Sequence, residues 1–184
     1  MKYLFYLLVS MLTITTWAQN EYELKRNDET NRIFYQGVIE NNKKSKEELY
    51  KMGIAWFESK GLSLEFQDET LSQLMAEVNF STIGKASVYG KAYHYNFSSE
   101  LTLEFKDGKT RYTFDHFKKK SSPGEPGTTL ETFIENYEPV ISSKKSRARQ
   151  AKMLDGIEID IDSQIGDLMV DLNREFGPKS ESDW

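Results

Sequence analysis

The sequence predicts an α+β fold in the order β-α-β-β-β-β-α, an antiparallel sheet covered on one face by two helices. Three observations carry that prediction. A β-branched and aromatic segment is followed by a capped stretch of helical periodicity ending at Gly61, after which the apolar period drops to two as far as Phe117. An aliphatic stripe at helical spacing then returns from Leu154 to Phe176.

The first residues read as an export signal and stand outside the fold. Lys2 supplies a positive start, Tyr3 to Leu12 is an apolar run, and Thr16 and Ala18 occupy the small-residue positions of a cleavage site. Cleavage is expected between Ala18 and Gln19, giving a periplasmic or secreted product. The apolar run is shorter than the about 20 residues a bilayer span needs. No comparable run follows, so no integral membrane segment is expected after signal cleavage. The chain divides into a signal peptide (1–18), a flexible leader (19–31), a single domain (32–177) and a tail (178–184).

The full chain has 184 residues, a formal net charge of −5 and no cysteine. Losing Lys2 makes the mature product more acidic still. Without cysteine there is no disulfide framework and no lipidation site, so stability must come from the core. A mildly acidic chain is a poor match for phosphate backbones, and no nucleic-acid partner is expected. Two basic runs, Lys118 to Lys120 and Lys144 to Lys152, read as solvated loops or exposed helix faces.

Within the domain, Arg32 to Glu40 reads as a strand. Ser45 and Glu48 stand at capping-box spacing, and Gly61 ends the helix that Ser45 opens. Leu49, Met52 and Trp56, with Tyr50, Ile54 and Phe57, form its apolar face. Leu62, Leu64 and Phe66 then alternate with polar residues, as do Leu74, Ala76, Val78 and Phe80. A loop containing Gly84 and Gly90 is expected next.

The Asp107-Gly108 dipeptide predicts a two-residue hairpin turn with positive φ at both positions. That turn sets the register. Phe105 should face Thr110, Leu103 face Tyr112 and Leu101 face Phe114, on an apolar face. Glu104 with Arg111, Thr102 with Thr113 and Glu100 with Asp115 make the other face polar. The segment from Ser121 to Asn136 reads as irregular.

The tail stripe Leu154, Ile157, Ile161, Ile165, Leu168, Leu172, Phe176 reads as a helix, with Asp155 and Glu158 as its capping box and Gly177-Pro178 as its stop. A strand reading would instead align Glu158, Asp160 and Asp162 as a cation site. Alternate strand residues sit about 6.6 Å apart, whereas two oxygens on one Ca²⁺ cannot be more than about 5 Å apart. Packing is therefore the better reading of those residues.

No catalytic, cofactor-binding or metal-ligating residue is assigned. There are two histidines. Strand parity puts His94 on the polar face and His116 on the apolar face opposite Ser99, so a shared metal is not expected. No Cys nucleophile, nucleophile elbow, Walker loop or zinc-protease helix is present.

The residues "YQGVIENNKKSKEELYKMGIAWF", the "GKAS" segment at Gly84, "FKDGKTRYTFDHF" and "IDSQIGDLMVDL" together resemble an exported bacterial domain of unknown function with a TATA-binding-protein-like (TBP-like) fold. The resemblance covers most of Tyr35 to Phe176; what it implies is a fold and an envelope location, and it does not imply an activity. The function read from the sequence is an exported non-enzymatic binding or interaction module with an unknown envelope or extracellular partner and no cofactor. The alternative is a hydrolase-like enzyme using carboxylates or His116 in a pocket beside the sheet.

Overall fold

A computed structural model describes residues 24–88, 91–120, 127–135 and 144–178. The signal peptide lies outside the described residues. The elements are β1 Tyr35–Glu40, α1 Lys46–Ser59, β2 Leu64–Asp68, β3 Gln73–Val88, β4 Lys91–Lys106, β5 Lys109–Lys119, β6 Thr128–Thr129, α2 Leu130–Glu135 and α3 Lys144–Phe176. The sheet runs β1-β5-β4-β3-β2, antiparallel throughout, with β6 added beyond the path on β5. The predicted α+β class and the order β-α-β-β-β-β hold through β5. No described helix is long and apolar enough to cross a membrane.

Helix α1 starts and stops as its sequence dictates. Ser45 Oγ accepts from Glu48 N at 3.3 Å while Glu48 Oε2 accepts from Ser45 N at 2.8 Å. At the other end Gly61 takes φ +65°, and Gly61 and Leu62 donate back to Glu58 and Phe57. Gly53, which weakens a helix in isolation, lies against Phe105 and Leu74 of the sheet. A Cβ there would lie 2.5 Å from Phe105 Cζ, so only glycine lets the helix seat this deeply.

The inner face of the sheet and the two long helices enclose one core. Leu74, Ala76, Val78 and Phe80 of β3 and Phe97, Leu101, Leu103 and Phe105 of β4 are buried under Leu49, Trp56 and Phe57 of α1 and Ile157, Ile161, Ile165, Leu172 and Phe176 of α3. Each large side chain so buried contributes about 1.5–3 kcal/mol. Polar bonds then orient the helices. Trp56 Nε1 donates to Asp171 Oδ2 at 3.0 Å, Lys60 and Arg174 pair with the same carboxylate, and Tyr35 OH donates to Asp162 Oδ1 at 2.9 Å. Buried Asn41 donates through Nδ2 to the carbonyls of Phe176 and Gly177, tying the exit of β1 to the end of α3.

Several expectations are corrected. Gly84 does not stand in a loop, because β3 continues to Val88 and β4 begins at Lys91, with Gly84 opposite Tyr93, while Gly90 lies outside the described residues. Helix α3 begins at Lys144, so Asp155 and Glu158 lie inside it and cap nothing. The preceding Arg, Ala, Gln and Lys residues are good helix formers and extend the helix upstream of its apolar stripe. Phe66 is 40 % exposed, since a register shift between Leu64 and Phe66 turns it off the inner face. The stretch after Gly127 carries β6 and α2 where irregular chain was expected; Thr129 Oγ1 accepts from Thr132 N at 3.2 Å at the start of α2. From Leu24 onward the leader is folded back: Leu24 is buried and Arg26 bridges Ile33.

The hairpin turn has the predicted register, including Phe105 opposite Thr110 and Glu100 opposite Asp115. Its geometry differs. Gly108 has φ +70° but Asp107 is not in the positive-φ region, and tertiary bonds hold the tip. Asp107 Oδ1 accepts from Lys46 N, Gly108 O from Asn41 N, and Gly108 N donates to Lys44 O.

Candidate functional site

The outer sheet face is polar and braced across the strands. Arg111 Nε donates to Glu104 Oε2 at 2.6 Å, Lys109 pairs with Glu40 at 3.0 Å, and Gln36 Nε2 donates to Thr113 Oγ1 at 3.2 Å. Lys120 reaches Glu77 at 2.7 Å, and that hydrogen bond holds the Glu77 carboxyl below its ordinary range. The Lys118 to Lys120 run is thereby accounted for residue by residue. Lys118 pairs with Glu100 and Lys120 with Glu77, while Lys119 Nζ lies 5.8 Å from the Tyr95 ring and 5.4 Å from that of Phe133. The run Lys144 to Lys152 forms the opening turns of α3.

His116 is the departure from this regular pattern. Ser98 faces Lys118 but Glu100 faces Asp115, so two residues of β5, His116 and Phe117, oppose Ser99 alone. This is a β-bulge, with His116 at φ 54°. A non-glycine residue there costs about 1–2 kcal/mol, and Phe117, 1 % exposed, is the compensating gain. Parity is reversed: Phe117 turns into the core and His116 turns out. The expectation that His116 lies on the apolar face is corrected, and both histidines are exposed. The sequence held the signal in Phe114 and Phe117. Two core aromatics three apart in a strand need an extra residue between them.

The bulge assembles a small polar cluster. Asp115 Oδ1 accepts from the His116 backbone N–H at 2.7 Å, and His116 Nδ1 lies 3.2 Å from Glu100 Oε2 and 3.7 Å from Asp115 Oδ2. Beside it is a cavity of about 410 Å³ lined by Asn31, Arg32, His116, Lys118, Glu131 and Glu135 among others. Glu131 Oε1 accepts from Ile33 N at 2.7 Å, closing the folded leader over α2. The imidazole itself is 46 % exposed. A histidine–carboxylate pair can relay protons, but here Asp115 and Glu131 accept the backbone N–H groups of His116 and Ile33, and Glu100 is also paired with Lys118 at 3.5 Å. Among the described residues no group of three or more His, Asp or Glu gathers as a metal site. Asp162 stands on α3 as the acceptor for Tyr35, whose phenol is pushed well above its usual pKa by burial and then by that bond. The helix replaces the strand on which Glu158, Asp160 and Asp162 would have aligned.

Residues 35–120 match the model of a family described as a domain of unknown function (DUF4468) with TBP-like fold. A crystal structure of a DUF4468 family protein from Bacteroides ovatus ATCC 8483 is similar at TM-score 0.57 and 11 % identity, covering 86 % of this chain and 92 % of that one. A TBP-like protein from Parabacteroides distasonis ATCC 8503 is similar at TM-score 0.54 and 11 % identity, covering 85 % and 97 %. No curated protein matches the chain. At such identity the likeness speaks for the fold alone.

Proposed function

We propose, for a chain that carries the DUF4468 domain with TBP-like fold across residues 35–120, that it is an exported, non-enzymatic binding module of the bacterial envelope. It acts in the periplasm or outside the cell after cleavage between Ala18 and Gln19. The observation that carries this reading is the engagement of the groups around His116: Asp115 and Glu131 each accept a backbone N–H and Glu100 is ion-paired with Lys118, on a solvated face. The outer face also supports a partner other than nucleic acid. Its cations Lys109, Arg111, Lys118 and Lys120 are each matched by a carboxylate, which leaves little positive field for a phosphate backbone.

Two measurements test the reading. Cell fractionation with mass spectrometry of the recovered chain is expected to find a product beginning at Gln19 outside the cytoplasm; a cytoplasmic chain retaining Met1 overturns it. Recovery of that product from its native envelope is expected to bring down a specific partner.

The second reading, a hydrolase-like enzyme, is favoured by one observation, the cavity beside the strained His116. Incubation with nitrophenyl esters, phosphates and glycosides separates the two. Turnover that disappears in His116→Gly, a change that relieves the bulge, would establish the enzyme.

A further inference from the structure

Strand β3 has an edge that the sheet does not use. β2 pairs only with Gln73 to Ala76, and among the described residues no strand lies beside β3 after that. Ser72 O accepts from Phe105 N at 2.9 Å, so even-numbered residues of β3 turn their backbone groups toward β4 and odd-numbered ones toward the edge. At Ser81 the edge is closed by a side chain. Gln164 Nε2 donates to Ser81 O at 3.2 Å, and Gln164 Oε1 accepts from Ser81 N at 3.4 Å. One carboxamide from α3 thereby supplies the donor and acceptor that one residue of a neighbouring strand would supply.

Asn79, on the same edge, has no such partner among the described residues. It lines a cavity of about 510 Å³ walled by Leu62, Val78 and Leu168, with Lys60 and Asp167 at its polar side. Lys60 is already paired with Asp171, whereas Asp167 is exposed and has no ion-pair partner among the described residues.

We propose that this recess receives an extended segment of a partner polypeptide, which adds to β3 at Asn79, places an apolar side chain against Leu62, Val78 and Leu168, and sets a basic residue near Asp167. The inference rests on the binding-module reading and names the partner class. An unpaired N–H and C=O on a strand edge recognise extended backbone irrespective of its sequence, and the pocket beside them supplies selectivity. The opening also favours a single segment over a second copy of this chain. It is bounded by β2 at Ala76 and Gln164 at Ser81, five residues or roughly 17 Å apart, too short for another folded sheet to lie alongside.

The test uses the chain without Met1 to Ala18 and a displayed library of random dodecapeptides, with affinities of enriched synthetic peptides read by fluorescence anisotropy. Enriched peptides are expected to alternate apolar residues and carry a cation. Asn79→Pro, which removes an edge N–H that has no partner among the described residues, and Leu168→Lys, which puts a charge into the recess, should each weaken binding about tenfold or more. N-methylation of the pairing residue in the peptide should do the same, and this arm stands even where a variant misfolds. No enrichment, or peptides indifferent to these changes, overturns the proposal. So does self-association of the chain that Asn79→Pro abolishes, since the edge would then belong to a second copy. A chain found in the cytoplasm would remove the export reading while leaving peptide binding in vitro untouched.

Discussion

Replacing glycine by alanine should move stability in opposite directions in the two long helices. In an exposed helix interior the change gains about 1 kcal/mol from propensity. At Gly53 the added methyl would stand 2.5 Å from Phe105 Cζ and 2.8 Å from Leu74 Cδ1, distances that no packed carbon tolerates. Those rings and methyls are 2 % and 0 % exposed and have no space to move into. Overpacking of this kind costs about 1–3 kcal/mol, and two such contacts on confined groups put the cost at the upper end. The net expectation for Gly53→Ala is a loss of about 1–2 kcal/mol after the propensity gain is subtracted. At Gly166 in α3 a methyl meets nothing within 4 Å, so Gly166→Ala should gain about 0.4–1 kcal/mol. Urea unfolding followed by tryptophan fluorescence, with a common m-value, measures both. A Gly53→Ala protein as stable as the parent would refute the close seating of α1 on the sheet. A destabilised Gly166→Ala would refute the open environment assigned to that side of α3.

Three further outcomes follow from the polar contacts. Tyr35→Phe removes the bond to Asp162 and should cost about 1 kcal/mol. Because burial, then that bond, raise the phenol's pKa, its contribution is full below the ordinary value near about 10 and declines as pH rises beyond it. The gap between parent and Tyr35→Phe in urea midpoint should therefore narrow in alkali. Glu77 is held below its ordinary range by Lys120, so its stabilisation is present above about pH 4.3 and fades as pH falls further. Glu77→Gln should cost no more than about 1 kcal/mol at neutral pH, given its exposure, and should flatten the acid arm of the stability profile. Asn41→Ala strips the cap from the Phe176 and Gly177 carbonyls and should cost about 1–3 kcal/mol, with faster amide exchange from Arg174 to Phe176.

What could be read from the sequence was whatever short-range chemistry decides. The Ser45–Glu48 capping box, the Gly61 stop and the Asp107-Gly108 register depend on residues a few positions apart, and each appears as spacing predicts. The α3 stripe held because seven positions at helical intervals outweigh Gly156 and Gly166. Features set by distant neighbours were not legible. The length of β3 and β4 past Gly84 depends on pairing across the hairpin, which composition there does not advertise. The start of α3 was hidden because an apolar stripe marks only the part of a helix that the sheet covers. The outward turn of His116 needed the bulge, and only the odd spacing of Phe114 and Phe117 pointed to it. The open edge at Asn79 was invisible, since an unpaired strand side is a property of the assembled sheet.

The fastening of the Asp107-Gly108 tip bears on how this protein can be handled. Hairpin tips are the usual places to graft an epitope tag or a fluorescent insert, because they tend to protrude freely. Here the tip is bonded to Asn41, Lys44 and Lys46, at the entrance to α1. A graft between Asp107 and Gly108 would detach the first turn of that helix along with the tip, so an inserted label there would report on a partly undocked molecule.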